Sequence, residues 1–532
     1  MSSESFMPPG ARNQTEVFAI HGADPEVLAY AMARYSRSAL SMRESLAEIS
    51  SQRAEQFLNT FYFQYGHRSI ADLAHVAMAV ERLSLLAAIV LVDEQRWDGQ
   101  ERSTRYQNFL ESGWYFPDFG EDSVSAQLYS ETIKGLFGVY RCVNDAVFNA
   151  LRRHVACPKE TKHEAYERTL KARAFDVARY LLPLATNTSL GQIVNARTLE
   201  TQVSRLLSHP SAEVRDLGLK LREAATGPAW NVNAQASAAL VEKLKATDPT
   251  LAAEAENLLS REVRSAPTLV KYAQPSDYQI QTRAELAQAA AELLNDLPPA
   301  GSLPHAVVDL VEYTESLEVE LAATLLYSAS HHPYRQIRDM VTELPEARMA
   351  EIVELGLRHR GKHDEALRAF HAGAALRFDI LMDIGGFRDM HRHRRCTQMI
   401  QPFTTQHGYE TPASGDLGPE VNILAEAGIL ADYHSAIEAA HAASLHIAAS
   451  PAHEATQSAL YLLPLATRVR SLFKMDFAEA QYIIELRSGP AGHFSYRRMA
   501  WEMFLALRSQ HPALAKHIRV TDFTQPIDLL KR

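Results

Sequence analysis

Tyr180-Leu181-Leu182-Pro183-Leu184-Ala185-Thr186 recurs, residue for residue, at Tyr461-Leu462-Leu463-Pro464-Leu465-Ala466-Thr467. A seven-residue identity at long range is far beyond chance in a chain of 532 residues, so the sequence reads as two copies of one domain. Both halves share one order: long helices, a basic or polar loop, a variable region, the heptapeptide and a terminal helix. The heptapeptides carry no chemistry of their own; their leucines suit a core turn that the proline fixes.

Working outward, residues 1–226 form the expected first repeat, 227–299 a helical connector and 300–532 the second repeat. Apolar residues at three- and four-residue spacing predict helices over 25–50, 52–65 and 212–225, the first opened by Asp24 as cap and Pro25 at the first helical position. Residues 83–92, rich in Leu, Ile and Val, fit either a strand or a buried helix. The connector holds helical patterns at 238–246, 251–263 and 283–294, punctuated by Gly227-Pro228, Pro267, Pro275 and Pro298-Pro299. Val308–Glu312 alternates like a strand, and helical runs follow at 317–330 and 346–357. The fold class expected is α/β (α+β and helix-rich), two tandem copies each with a sheet flanked by long helices.

A composition of 46% hydrophobic and 22% charged residues is that of a globular chain. The net charge of −10 argues against non-specific wrapping of nucleic acid, so a nucleotide would have to be met by local clusters of arginine. Cys142, Cys157 and Cys396 show no metal spacing, and an odd number suits a reducing compartment. Residues 1–12 lack an apolar signal core and the longest apolar run is too short to span a bilayer, so a cytoplasmic protein without a membrane partner is expected.

The chemistry-bearing residues are divided unevenly. The first half has Gly66-His67-Arg68-Ser69, then Asp93-Glu94-Gln95 and, after seven residues, Ser103 with Arg105 two further on. Ala178-Arg179 precedes its Leu-Leu-Pro, and Asn195-Ala196-Arg197 follows. The second half has Arg392-His393-Arg394, with Pro402 and Thr404 where Ser and Arg would stand. Leu460 takes the place of Arg179, Asp476 and Ala478 replace Asn195 and Arg197, and Arg487 lies where the first half has Leu206 beside Arg205.

Together these elements resemble the flavin-dependent thymidylate synthases, whose signature is Arg-His-Arg, seven residues, Ser, and Arg two positions later. Gly-His-x-Ser/Thr precedes it, and Ala-Arg-x-x-Leu-Pro and Asn-x-Arg follow. The first half keeps the rear of that signature and the second half its front. The resemblance implies sites shared between subunits of a tetramer. A chain with one half of each kind would then build half the usual number of complete sites, within one chain or between two, in a homodimer that mimics the tetramer. The implied reaction is reductive methylation of dUMP to dTMP with FAD, NADPH and methylenetetrahydrofolate.

The resemblance assigns Glu101, Ser103, Arg105, Arg179, Arg392 and Arg487 to substrate, with Arg487 and Ser103 in the chemistry. It assigns His67, Ser69, Asn195, Arg197, Arg392, His393 and Arg394 to cofactor. No metal is implied. A guanidinium fork suits a phosphate, and a fixed cation beside the pyrimidine carbonyls favours the charged transition state. A flavin hydride makes a thiol nucleophile unnecessary, and Cys396 reads as a buried filler.

Plainer readings stand beside these. Arg358-His359-Arg360 also spells Arg-His-Arg, but it ends a helix and reads as structural. Arg102 is expected to face solvent. The acidic Asp93-Glu94-Gln95 either marks a dead site or pairs with Arg392 or Arg394. The alternatives for the whole chain are a non-catalytic nucleotide- or flavin-binding homologue, a flavin enzyme acting on another pyrimidine, and an RNA-binding module using residues 391–395, which the acidic charge disfavours.

Overall fold

The two heptapeptides pair with each other. Leu184 N donates to Leu463 O at 2.9 Å and Ala185 N to Tyr461 O at 2.8 Å. The reciprocal bonds run from Leu465 N to Leu182 O at 2.9 Å and from Ala466 N to Tyr180 O at 3.0 Å. Pro183 faces Pro464 across an antiparallel bridge. Each proline lacks an N–H, so the donors come from the two residues after it. The repeat is thus a pseudo-twofold axis as well as a sequence pattern.

This is a computed structural model that describes residues 20, 22–34, 42, 46, 68–294, 296, 297, 306–314, 316–361, 364–373, 375–412, 421–452 and 454–530. The chain divides into two compact units: residues 1–76, 194–201 and 220–273 in one, and 77–193, 202–219 and 274–532 in the other.

The larger unit contains the heptapeptides and most of both sheets. Strands β1 (His75–Ser84), β2 (Asp98–Glu101) and β3 (Asn187–Asn195) form a sheet in the order β1-β3-β2. Strands β4 (Val308–Glu312), β5 (Leu376–Asp383), β6 (Thr397–Ile400) and β7 (Arg468–Met475) form a second in the order β4-β5-β7-β6. The second sheet therefore repeats the first and adds β4 at its edge. The registers agree: Asp98 faces Ile193 in the first sheet, and Thr397 faces Lys474 at the equivalent place in the second. In β7 the inward residues Val469, Ser471, Phe473 and Met475 alternate with partly exposed ones, as a one-sided strand requires.

Each sheet hands over to a short helix. Residues 83–92 resolve as the end of β1 followed by the helix Leu85–Leu91, because the Ser84 hydroxyl accepts the Ala87 N–H at 2.9 Å and starts a helix there. In the second half Asp383 caps Ile384–Met390 by accepting the Gly386 N–H at 2.6 Å. Both helices dock on a heptapeptide, Leu85 N to Thr186 O and Ile384 N to Thr467 O, each at 2.9 Å. Long helices Ser123–His154, His163–Ala178 and Leu430–Ala448 cover this centre.

The expected helices at the connector and beyond are present with shifted ends: Ala234–Lys245, Pro249–Leu259, Asp277–Leu293 and Leu317–Ser328. Glu346–Leu357 and Val308–Glu312 appear as anticipated. In the smaller unit, the helix Pro25–Arg34 carries Glu26, whose buried carboxylate accepts the N–H groups of Thr268 and Leu269 at 2.9 and 2.8 Å. The remainder of the helix expected over 25–50 falls mostly outside the described residues, and the whole of 52–65, with His67, lies outside them. Among the described residues no helix is long and apolar enough to cross a membrane.

Candidate functional site

Arg105 follows β2, where the Ser103 hydroxyl accepts its backbone N–H at 3.2 Å and fixes the turn. The residue is only 8% exposed. Asp176 takes it with two prongs, Nε to Oδ1 at 2.7 Å and Nη2 to Oδ2 at 3.2 Å. The second half completes the shell: Nη1 donates to the Tyr496 hydroxyl at 2.6 Å and Nη2 to Ala491 O at 3.1 Å. The sequence offers this fork to a phosphate; in the structure Asp176 occupies it, since a buried cation needs a counter-charge.

The Tyr496 ring joins the two halves. Arg105 lies 5.5 Å from its centroid and Arg487 lies 5.2 Å from it. Arg179, 2% exposed, crosses between the halves in its turn, with Nη1 3.1 Å from Asp389 Oδ2 and with Nε and Nη2 lacking a hydrogen-bond partner. Burial would raise the Asp389 pKa, but Arg179, Arg105, Arg392 and Arg487 outweigh it and hold the group at about 2. Guanidinium groups from both halves thus act on one carboxylate, with Arg179 in direct contact. Counting Asp176, Asp389 and the ionised Asp383 beside Arg179 against these four arginines still leaves one net positive charge for an anion.

Beside this cluster a cavity of about 420 Å³ is lined by Arg360, His371, Arg392, His393, Arg394 and Arg487 among others. A second hollow of about 420 Å³, with Leu486 and Arg487 in common, reaches Ala491 and Tyr496. Arg487 Nε lies 2.7 Å from His393 Nε2, which fixes that nitrogen as the acceptor and His393 as neutral. Burial lowers the His393 pKa and favours that state. The Cys396 thiol is buried, donates to His393 O at 2.9 Å and is pushed up to about 12 chiefly by burial, so it fills space and is no nucleophile.

Several expectations are corrected. Glu101 is closed off by Arg388 at 2.6 Å, an ion pair across the halves with both side chains buried. Arg102 is drawn into its own loop, bonded to Gln107, Ser112 and Asn108 O and 4.2 Å over the Phe109 ring, because it organises a turn-rich segment. Glu94 pairs with Arg205 of its own half at 2.8 Å, and Asp93 faces His391 at 3.6 Å, so the acidic triplet makes no ion pair with Arg392 or Arg394. Arg360 lines the basic cavity while Glu485 grips its guanidinium at 2.8 and 2.9 Å.

Asn195, Arg197 and Ser69 belong to the smaller unit, where Asn195 accepts the Thr198 N–H at 2.8 Å and Arg197 pairs with Asp72 at 3.0 Å. Asp176, Asp389 and Tyr496 were missed in the sequence. No sequence signal marks the first two: each stands three residues before an arginine but pairs with a different one, Asp176 with Arg105 and Asp389 with Arg179.

A family model described as thymidylate synthase complementing protein matches the chain twice, over residues 19–227 and 309–513. The chain belongs to the thymidylate synthase complementing protein family. It is 27% identical to a UPF0159 protein of Chlamydia muridarum (strain MoPn / Nigg) over 94% of this chain and 91% of the relative. It is 23% identical to a UPF0159 protein of Thermoplasma acidophilum over 92% and 94%. A flavin-dependent thymidylate synthase of Clostridium tetani is 23% identical over 33% of this chain and 67% of its own length.

Within the thymidylate synthase complementing family the implied cofactor is a flavin. The residues present fit one. The cavity's cations suit its phosphates, Tyr482 offers an aromatic wall, and the buried Arg394 Nε has no hydrogen-bond partner. Among the described residues no group of His, Cys, Asp or Glu is arranged to hold a metal ion.

Proposed function

We propose that this chain is a flavin-dependent thymidylate-synthase-type enzyme with one working site per chain, converting dUMP to dTMP. The observation that carries the reading is the meeting of Arg105 and Arg179 from the first half with Arg392 and Arg487 from the second around Asp389 and Tyr496. The net positive charge of that cluster receives the phosphate, and Ser103 adds a hydroxyl donor. Arg487, held by His393, faces the pyrimidine and stabilises the negative charge that develops on its carbonyl oxygens. Arg392, His393 and Arg394 hold the flavin side of the site. Bound FAD supplies hydride chemistry, with NADPH as reductant and methylenetetrahydrofolate as carbon donor.

The pseudo-twofold mate of this site has Thr404, Leu460 and Asp93 at the equivalent positions and is inactive. The chain assembles as a homodimer. The test is the absorbance spectrum of the purified protein with and without dUMP, followed by product analysis. A flavin spectrum that dUMP perturbs, with dTMP formed, is expected; a colourless protein that gains no flavin on titration sinks the proposal.

A second reading has its own support. The Asp389 carboxylate accepts from Arg179 Nη1 at 3.1 Å through Oδ2, and its other oxygen would suit a pyrimidine bearing an amino group. Turnover of a cytidine nucleotide in place of dUMP would establish it.

A further inference from the structure

We propose that Trp97, with the glutamine pair behind it, is a positioning residue for Arg394, so that the half without the basic triplet supports the half that kept it. The Arg394 guanidinium lies 4.3 Å above the Trp97 ring centroid. The indole is 4% exposed and donates to Gln192 Oε1 at 2.7 Å. Gln192 and Gln202 exchange amide bonds at 3.1 and 3.2 Å, and Gln202 also donates to Leu91 O at 2.9 Å.

Both glutamines are essentially fully buried, so the network holds one orientation or leaves polar groups unpaired. Gly99 makes room for it: a Cβ there would come within 2.4 Å of both the indole and Gly191 O. A cation over an indole face is held without consuming its N–H groups. Arg394 therefore keeps donors for an anion in the cavity it lines.

This rests on the flavin reading for the identity of that anion. The experiment uses the full chain with W97A, W97F, Q192L, R394A and the double variant W97A/R394A. Two probes are titrated: FAD by fluorescence quenching and inorganic pyrophosphate by calorimetry. W97A and R394A are each expected to weaken FAD about tenfold, Q192L less, and W97F least because a π face remains. The double variant should be no worse than R394A alone, a coupling that a merely structural tryptophan would not show.

If FAD fails to bind the wild type while pyrophosphate shows the same coupling, the flavin reading falls and the positioning role stands. Additive losses in the double variant, undiminished binding in W97A, or failure of both anions to bind the wild type would each overturn it. Unfolding curves for every variant identify any that fail to fold; if W97A does, W97L and W97L/R394A, which fill the space without a π face, carry the comparison and are held to the same outcomes.

Discussion

Arg105 ties both halves together through Asp176, Tyr496 and Ala491. Removing one partner of a buried pair strands the other charge, so Arg105→Ala should cost about 3–5 kcal/mol of stability by urea unfolding, in addition to abolishing dUMP binding. Adding Asp176→Asn should recover much of the stability and none of the binding. Arg487→Ala strands no comparable carboxylate, so binding should fall with a smaller loss of stability. Asp389 makes a separate prediction. Its folded pKa of about 2 is below its unfolded value, so its contribution is present above pH ~4 and lost as pH falls to about 2. Asp389→Asn should remove about 2 kcal/mol of acid sensitivity from the stability–pH curve and strengthen phosphate binding.

The capping elements show how the repeats diverged while keeping one interaction. In the first half the Ser84 hydroxyl meets the Glu213 carboxylate at 2.6 Å; in the second the Asp383 carboxylate meets the Ser495 hydroxyl. The two partners have exchanged sides, and each pair still anchors a helix that starts beside a heptapeptide. Burial raises the Asp383 pKa to about 6, against the lowering effects of Ser495, Arg179 and Gly386. An acid whose folded pKa is raised destabilises the fold when ionised, so stability should fall as pH rises from ~4 to about 6. Asp383→Asn keeps an acceptor for Gly386 and gains a donor for Ser495. It should stabilise the protein at pH 7 by about 1–3 kcal/mol and change nothing below pH ~4, as measured by thermal unfolding across pH.

For the molecule as a whole, Arg105, Arg179, Asp389, Arg392 and Arg487 all lie within the larger compact unit of a single chain. Mixing inactive Arg105→Ala and Arg487→Ala proteins should therefore restore no dUMP turnover. Recovery of activity on mixing would place the working site between chains. The reciprocal pairing of the heptapeptides carries a related expectation. Expressed separately, the two halves should be insoluble, because each leaves the partner-facing edge of a buried turn unpaired.

The repeated heptapeptide fixed the duplicated architecture from sequence alone, because an exact long-range repeat needs no geometry to be recognised. The spacing from Arg392 to Pro402, against that from Asp93 to Ser103, showed equally plainly which residues differ between the two halves. Helix type was legible wherever apolar residues kept a steady period, and ends were not, since caps such as Ser84 depend on single hydrogen bonds. What only the tertiary structure decided is who neutralises whom. Asp176 and Asp389 carry no sequence mark as counter-ions, and Glu94 turned to Arg205 rather than to the basic triplet. Charge pairing inside a protein is set by distance and burial between segments far apart in the chain, and those quantities exist only once the two copies have folded against each other.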